Sequence, residues 1–124
     1  MTLIDTSVII DFIAGDKKIV SLIQELAEKE EIKTTSITEY ELLKHKTELK
    51  RQLAEEFLAE IAVYPFDGDA AKEATVLFRE LKDNGRMINE NDLLIAGISL
   101  AHDEMLLTRD KKLANVGIDN IKIV

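Results

Sequence analysis

Cysteine and tryptophan are absent, proline occurs once, at Pro65, and histidine twice, at His45 and His102. Without cysteine there is no disulfide, no thiolate zinc site and no sulfur nucleophile. Neither histidine has the spacing of a zinc pair or a catalytic triad, so both are read as surface or helix-end residues. Aromatics are also sparse. Tyr40, Tyr64 and the four phenylalanines are scattered along the chain, which points to core filling and not to a stacking surface for bases. No run of about 18 uncharged apolar residues is present, as a membrane-crossing helix requires. The opening stretch, residues 1–10, is broken by Asp5 and lacks a basic leader. A cytoplasmic protein with no membrane contact is the expectation.

Basic residues are outnumbered as well, 16 Lys and Arg against 24 Asp and Glu, for a formal net charge of −8. That balance opposes the binding of a polyanion by a broad basic surface. The objection weakens if several acids converge on divalent cations, whose charge then presents a positive focus to phosphate. With 46% hydrophobic residues in 124, the chain can bury one core, and a single domain over 1–124 is expected.

Hydrophobic periodicity divides the chain into alternating strands and helices. Residues 2–4 read as a short buried strand, ending at Asp5-Thr6-Ser7, which can cap a helix over 8–13 that Gly15 stops. Asp16 offers the N-cap for an amphipathic helix to about residue 30, and a strand follows at 32–35. Ser36 with Glu39 and Thr38 with Glu41 both match the capping-box spacing, so a helix should run from here toward His45, with another over 48–60. Residues 62–66 look like a third strand, and Pro65 assigns it to a strand end or a sheet edge, since proline cannot donate to a ladder. After a turn at Asp67-Gly68-Asp69, a helix over 70–82 sets Ala71, Ala74, Leu77, Phe78 and Leu81 on one face and stops at Asn84-Gly85. Asn89 or Asn91 can cap a helix over 92–102; a strand at 105–108, one helical turn at 111–114 behind Asp110, and a last strand at 121–124 complete the chain. Strands separated by helices imply a three-layer α/β/α sandwich with a mostly parallel central sheet.

In such a sheet, ligands bind beyond the carboxyl ends of the strands. Asp5, Glu41, Asp92 and Asp110 all fall at strand-to-helix junctions or in the first turns of the helices that follow. Each acid alone is explained by capping or by the helix dipole, and Glu41 by its capping box with Thr38. Asp5 is different, because a carboxylate between the apolar strand and Val8-Ile9-Ile10 is expected to be partly buried and to need partners. Two carboxylates about 4 Å apart repel by roughly 4 kcal/mol at an effective dielectric near 20, so a cluster at neutral pH recruits a cation. All-oxygen ligands select Mg²⁺ or Mn²⁺. A water activated by such a cation can attack a phosphodiester in line while the cation offsets charge on the attacking and leaving oxygens.

Four segments together closely resemble the PIN-domain family and, within it, the ribonuclease toxins of VapBC toxin–antitoxin systems, over nearly the whole chain. Leu3-Ile4-Asp5-Thr6-Ser7-Val8-Ile9-Ile10-Asp11 is similar to the family's opening strand and loop, with Asp5 matching the first metal ligand. Ile37-Thr38-Glu39-Tyr40-Glu41-Leu42 resembles the second motif and aligns Glu41, not Glu39, with the family acid. Asn91-Asp92-Leu93-Leu94-Ile95-Ala96 matches the third motif, with Asp92 as the second principal ligand, and Leu106-Leu107-Thr108-Arg109-Asp110 the fourth. The resemblance implies hydrogen bonds from Thr6, Ser7 and Thr108 to the carboxylates or a ligand. It also implies an RNA substrate, Mg²⁺ or Mn²⁺, a homodimer, and a protein antitoxin whose tail occupies the site. Two departures, Leu113 in place of a frequent aromatic and Lys44-His45 in place of a frequent glycine, leave the proposed ligands untouched.

Candidate RNA-phosphate contacts are Arg109, Lys111 and Lys112 beside Asp110, Arg86 before Asp92, and Lys44 in a basic run with His45, Lys46, Lys50 and Arg51. Solvated helix faces explain the same residues. Other α/β classes compete. A receiver-type signalling domain calls for adjacent acids at the first strand and an acceptor Asp after the third, where only Asp67 stands. A haloacid-type phosphatase calls for Asp where Ser7 is found. A catalytically idle interaction module would not need all four acids.

Overall fold

Leu3 and Ile4, neighbours on the first strand, point to opposite faces of a sheet and seed two cores. Neither has exposed surface, so each contributes about 1.5–3 kcal/mol of apolar burial. The structure is a computed structural model that describes residues 2–114 and 116–124. Its elements are β1 (Thr2–Ile4), α1 (Thr6–Ile13), α2 (Lys17–Lys29), β2 (Ile32–Thr35), α3 (Ser36–Leu43), α4 (Glu48–Leu58), β3 (Ala62–Tyr64), α5 (Gly68–Asp83), α6 (Glu90–His102), β4 (Met105–Thr108), α7 (Lys111–Ala114) and β5 (Ile121–Ile123).

The five strands pair in the order β3-β2-β1-β4-β5, every pair parallel. On the Ile4 side lie Val8 and Ile9 of α1, Ile19 and Ile23 of α2, Leu42 of α3, and Ala54 and Leu58 of α4. On the Leu3 side lie Leu77 and Leu81 of α5, Ile95 and Ile98 of α6, and Leu113 of α7. The sheet is therefore the middle layer of an α/β/α sandwich, as expected. The chain steps outward from β1 through β2 to β3 and then returns to β4 on the other side of β1. This reversal opens a crevice beyond the carboxyl ends of β1 and β4. No helix among the described residues is long and apolar enough to cross a membrane.

Local chemistry sets most boundaries. Asp5 and Asp16 cap α1 and α2 by accepting from the amides of Val8 and Ile19, both at 3.1 Å; α1 thus begins two residues before the expected 8–13. Pro65 follows the last residue of β3, an edge strand. Asp67 caps α5 through Ala70, which draws Gly68 and Asp69 out of the expected turn and into the helix. Asn89 caps α6, so that helix opens at Glu90 and not at Asp92. Two expectations fail. Thr38 is not an N-cap: the last residue of β2, Thr35, takes that place and accepts from the Thr38 amide at 3.2 Å, so no Thr38–Glu41 capping box forms. Tyr40 and Phe78, read as core, are 59% and 36% exposed, and Lys44 lies 5.0 Å from the Tyr40 ring centre.

Helices α5 and α6 pack closely against each other at Gly97. A Cβ at Gly97 would fall 2.8 Å from the Ala70 carbonyl oxygen and 2.8 Å from the Ala74 Cβ. This contact matters to the crevice because α6 carries Asp92. At the amino end of β4, buried Lys33 and Glu104 pair at 3.3 Å, Tyr64 donates to the same Glu104 oxygen at 2.9 Å, and His102 stacks on the Tyr64 ring.

Candidate active site

Asp5 leaves β1 while its amide still donates to the Leu107 carbonyl at 3.1 Å, so its position is set by the β1–β4 pairing. Its carboxylate is 4% exposed and has donors on both oxygens. Ser7 donates to Oδ1 at 2.6 Å, and Thr108 donates to Oδ2 through a short hydrogen bond. Each hydroxyl is fed in turn by a backbone amide of the turn after β4: Arg109 N–H to Ser7 at 3.0 Å, and Asp110 N–H to Thr108 at 3.0 Å. Amide-to-hydroxyl-to-carboxylate chains of this kind polarise one another and orient the final acceptor. Burial raises the Asp5 carboxyl above its ordinary value, and the hydrogen bonds from Ser7, Thr108 and the Val8 and Ser7 amides oppose that rise.

Glu41 projects from α3 toward the starts of α1 and α6. Thr6 donates to one of its oxygens at 2.6 Å and the Asn91 side chain to the other at 3.3 Å. The capping explanation of Glu41 is replaced by this bridge, which places it at the crevice. Asp92, one residue on, is half-buried, and its carboxyl is raised to about 6. Desolvation is the largest cause, followed by the negative charges of Asp110, Asp5 and Glu41. Asp110 accepts from the Lys112 amide at 2.9 Å, capping the turn of α7. Asp110, Asp5 and Glu41 therefore all lie close enough to Asp92 to act on its carboxyl electrostatically.

Among the described residues no three acids or histidines stand close enough to form a ready-made metal cage. Mutual repulsion separates carboxylates, and Mg²⁺ takes only one or two of them directly and keeps several waters, so a wider ring suits a hydrated cation. The donor set is oxygen only, partly desolvated, and forms no ion pair with a Lys or Arg among the described residues, so its chemistry fits a hard divalent ion.

Arg86, Lys112, Asp92 and Asp110 line a cavity of about 520 Å³ together with Met87, Ile88 and Val116. Lys44 and Lys111 are also exposed, whereas Arg109 turns to α1 and α2. Its Nε lies 3.1 Å from Asp11 and its Nη1 3.8 Å from Asp16. Both that ion pair and the Asn91–Glu41 bond escape sequence reasoning. The first joins residues remote in sequence; the second is hidden because either Asn89 or Asn91 can cap α6, and only the capping by Asn89 frees the Asn91 side chain for Glu41.

A family model described as PIN domain matches residues 2–119. Ribonuclease VapC19 of Mycobacterium tuberculosis is 30% identical over 109 residues, 87% of each chain. Among solved structures, a chain of VapBC2 from Rickettsia felis bound to a DNA fragment from their promoter superposes with a TM-score of 0.85 at 24% identity, covering 99% of this chain and 96% of that one. DNA-bound VapBC from Salmonella typhimurium gives 0.85 at 21% identity over 98% and 96%. Those structures share the fold; the family match, which spans every acid of the crevice, says more: this chain belongs to the PIN-domain family.

Proposed function

We propose that residues 1–124 form a single cytoplasmic nuclease domain, a Mg²⁺- or Mn²⁺-dependent endoribonuclease that is the toxin of a toxin–antitoxin pair. The observation that carries this reading is the convergence of Asp5, Glu41, Asp92 and Asp110, felt at Asp92 as a carboxyl raised to about 6. The relative named Ribonuclease VapC19 and the VapBC complexes that share the fold support the choice of substrate and partner.

Asp5 and Asp92 would be the principal metal ligands, with Glu41 and Asp110 completing the ring. A divalent cation held there would supply Lewis-acid charge and water activation for hydrolysis of a phosphodiester. The chain's own part is to aim the acids. Ser7 and Thr108 keep both Asp5 oxygens hydrogen-bonded, and Thr6 with Asn91 does the same for Glu41. Arg86, Lys44, Lys111 and Lys112 would bind flanking phosphates, with Arg86 and Lys112 on the wall of the cavity that Asp92 and Asp110 share. The protein partners would be a second copy of the chain and an antitoxin. Exposed Ile10, Leu49 and Leu53, beside the basic Lys50, offer apolar area to a protein ligand.

Incubation of labelled RNA with the protein in Mg²⁺, in Mn²⁺ and in chelator, alongside Asp5→Asn and Asp92→Asn, tests the activity. Metal-dependent cleavage lost in both variants is the expected result. Uptake of phosphate from a small phosphodonor at a single Asp would point to a receiver, and inertness in both assays to an idle module.

A further inference from the structure

Arg109 adjoins two of the four acids in sequence or through hydrogen bonds, yet its guanidinium is committed elsewhere. It holds one face of α1 at two points. The backbone amide of Arg109 donates to Ser7, and its side-chain Nε meets Asp11, one helical turn further along. Nη1 reaches toward Asp16, the N-cap of α2, and is buried without a hydrogen-bond partner of its own. The turn gripped in this way is the one whose amides, at Arg109 and Asp110, feed the Ser7 and Thr108 hydroxyls that hold Asp5. Asp110 itself sits on that turn. The spacing of Asp5 from Asp110 therefore depends on how firmly the turn is fastened to α1.

From this geometry we infer that Arg109 is a positioning residue and not a phosphate contact: its ion pair with Asp11 fastens the β4–α7 turn to α1 and so sets the distance between Asp5 and Asp110. The inference rests on the reading that these acids hold a divalent cation. Its physical basis is that a ring of mutually repelling carboxylates spreads unless the backbone carrying it is tied down, and a cation bound through such a ring loses affinity when ligand spacing loosens. A partly exposed ion pair adds little to global stability, so the effect belongs to the site and not to the fold.

The test is Mn²⁺ binding, followed by titration calorimetry, in the wild type, Arg109→Gln, Arg109→Lys, Asp11→Asn and the Arg109→Gln/Asp11→Asn double variant. Melting in chelator and RNA cleavage kinetics accompany it. Arg109→Gln and Asp11→Asn should each weaken Mn²⁺ binding by roughly 10-fold. The double variant should be no weaker than either single one, because both remove the same contact. Arg109→Lys should recover part of the affinity, chelator melts should stay close to wild type, and cleavage at limiting Mn²⁺ should fall in kcat with KM unchanged. Wild-type Mn²⁺ affinity in Arg109→Gln, a raised KM with unchanged kcat, or losses that add in the double variant would overturn the inference. So would lower melting with unchanged Mn²⁺ affinity. Should Arg109→Gln fail to fold, Asp11→Asn keeps the guanidinium and reads the same coupling. If instead the wild type binds no Mn²⁺, or Asp92→Asn binds it as tightly, the metal-site reading itself is refuted and this inference with it.

Discussion

Replacing Asp92 with Asn should make the metal-free protein more stable at neutral pH, the reverse of what loss of a functional side chain usually does to a fold. The Asp92 carboxyl is raised from 3.8 to about 6 by burial and by Asp110, Asp5 and Glu41. The folded state therefore binds this proton more tightly than the unfolded chain. Stability from the group is present below the unfolded value near 3.8 and is lost as pH rises through about 6. Fully expressed, a shift of that size is worth roughly 3 kcal/mol. Solvent reaching the half-buried carboxylate reduces it to about 1–2 kcal/mol, and attraction to the amino end of α6 subtracts about 0.3–1 kcal/mol more. About 1 kcal/mol remains in favour of Asn at pH 7.5, a rise of roughly 3–5 °C in Tm for a chain of this size. Thermal melts of both proteins in chelator at pH 7.5 and pH 4.5 measure it. The gain should shrink at the lower pH, where wild-type Asp92 is protonated, and should reverse when saturating Mn²⁺ stabilises only the wild type. A variant that melts at or below wild type in chelator at pH 7.5, or a gain that ignores pH, would refute the electrostatic argument.

Thr108→Val keeps the shape of a buried residue but removes the donor to Asp5 Oδ2; urea unfolding should show a loss of about 1–3 kcal/mol, and Mn²⁺ affinity should fall by roughly 10-fold or more. Gly97→Ala puts a methyl group 2.8 Å from the backbone of α5, so denaturant unfolding should show destabilisation of about 1–3 kcal/mol. Arg86→Ala and Lys112→Ala, each changing one cation on the cavity wall, should weaken RNA binding for all sequences alike and lower the slope of log K against log salt by about 0.7–1 apiece, measured by fluorescence anisotropy.

The sandwich was legible in the sequence because its strands are short apolar runs and its helices carry Asp or Asn caps at Asp5, Asp16 and Asn89, whereas Asp67, legible only as a turn residue, also caps a helix. The acids follow strands of a parallel sheet, which brings such residues toward one edge, and Asp110, Asp5 and Glu41 lie near enough to raise the Asp92 carboxyl. What local pattern could not decide is which of two competing bonds a side chain makes. Capping-box spacing occurs twice around residues 36–41, yet Thr35, still on the strand, takes the cap and leaves Glu41 to Thr6 and Asn91. Arg109 carries the composition of a phosphate contact, and only the approach of α1 to the β4–α7 turn reveals Asp11 as its partner. Tyr40 of α3 stays 59% exposed, so aromatic character alone does not ensure burial.

The most direct measurement is an anomalous-scattering map from crystals soaked in Mn²⁺. The account predicts a manganese peak in the crevice beyond β1 and β4, in direct contact with carboxylate oxygens of Asp5 and Asp92, and no such peak in Asp92→Asn crystals. Manganese bound only elsewhere on the molecule, or a crevice peak that persists undiminished in Asp92→Asn, would contradict it.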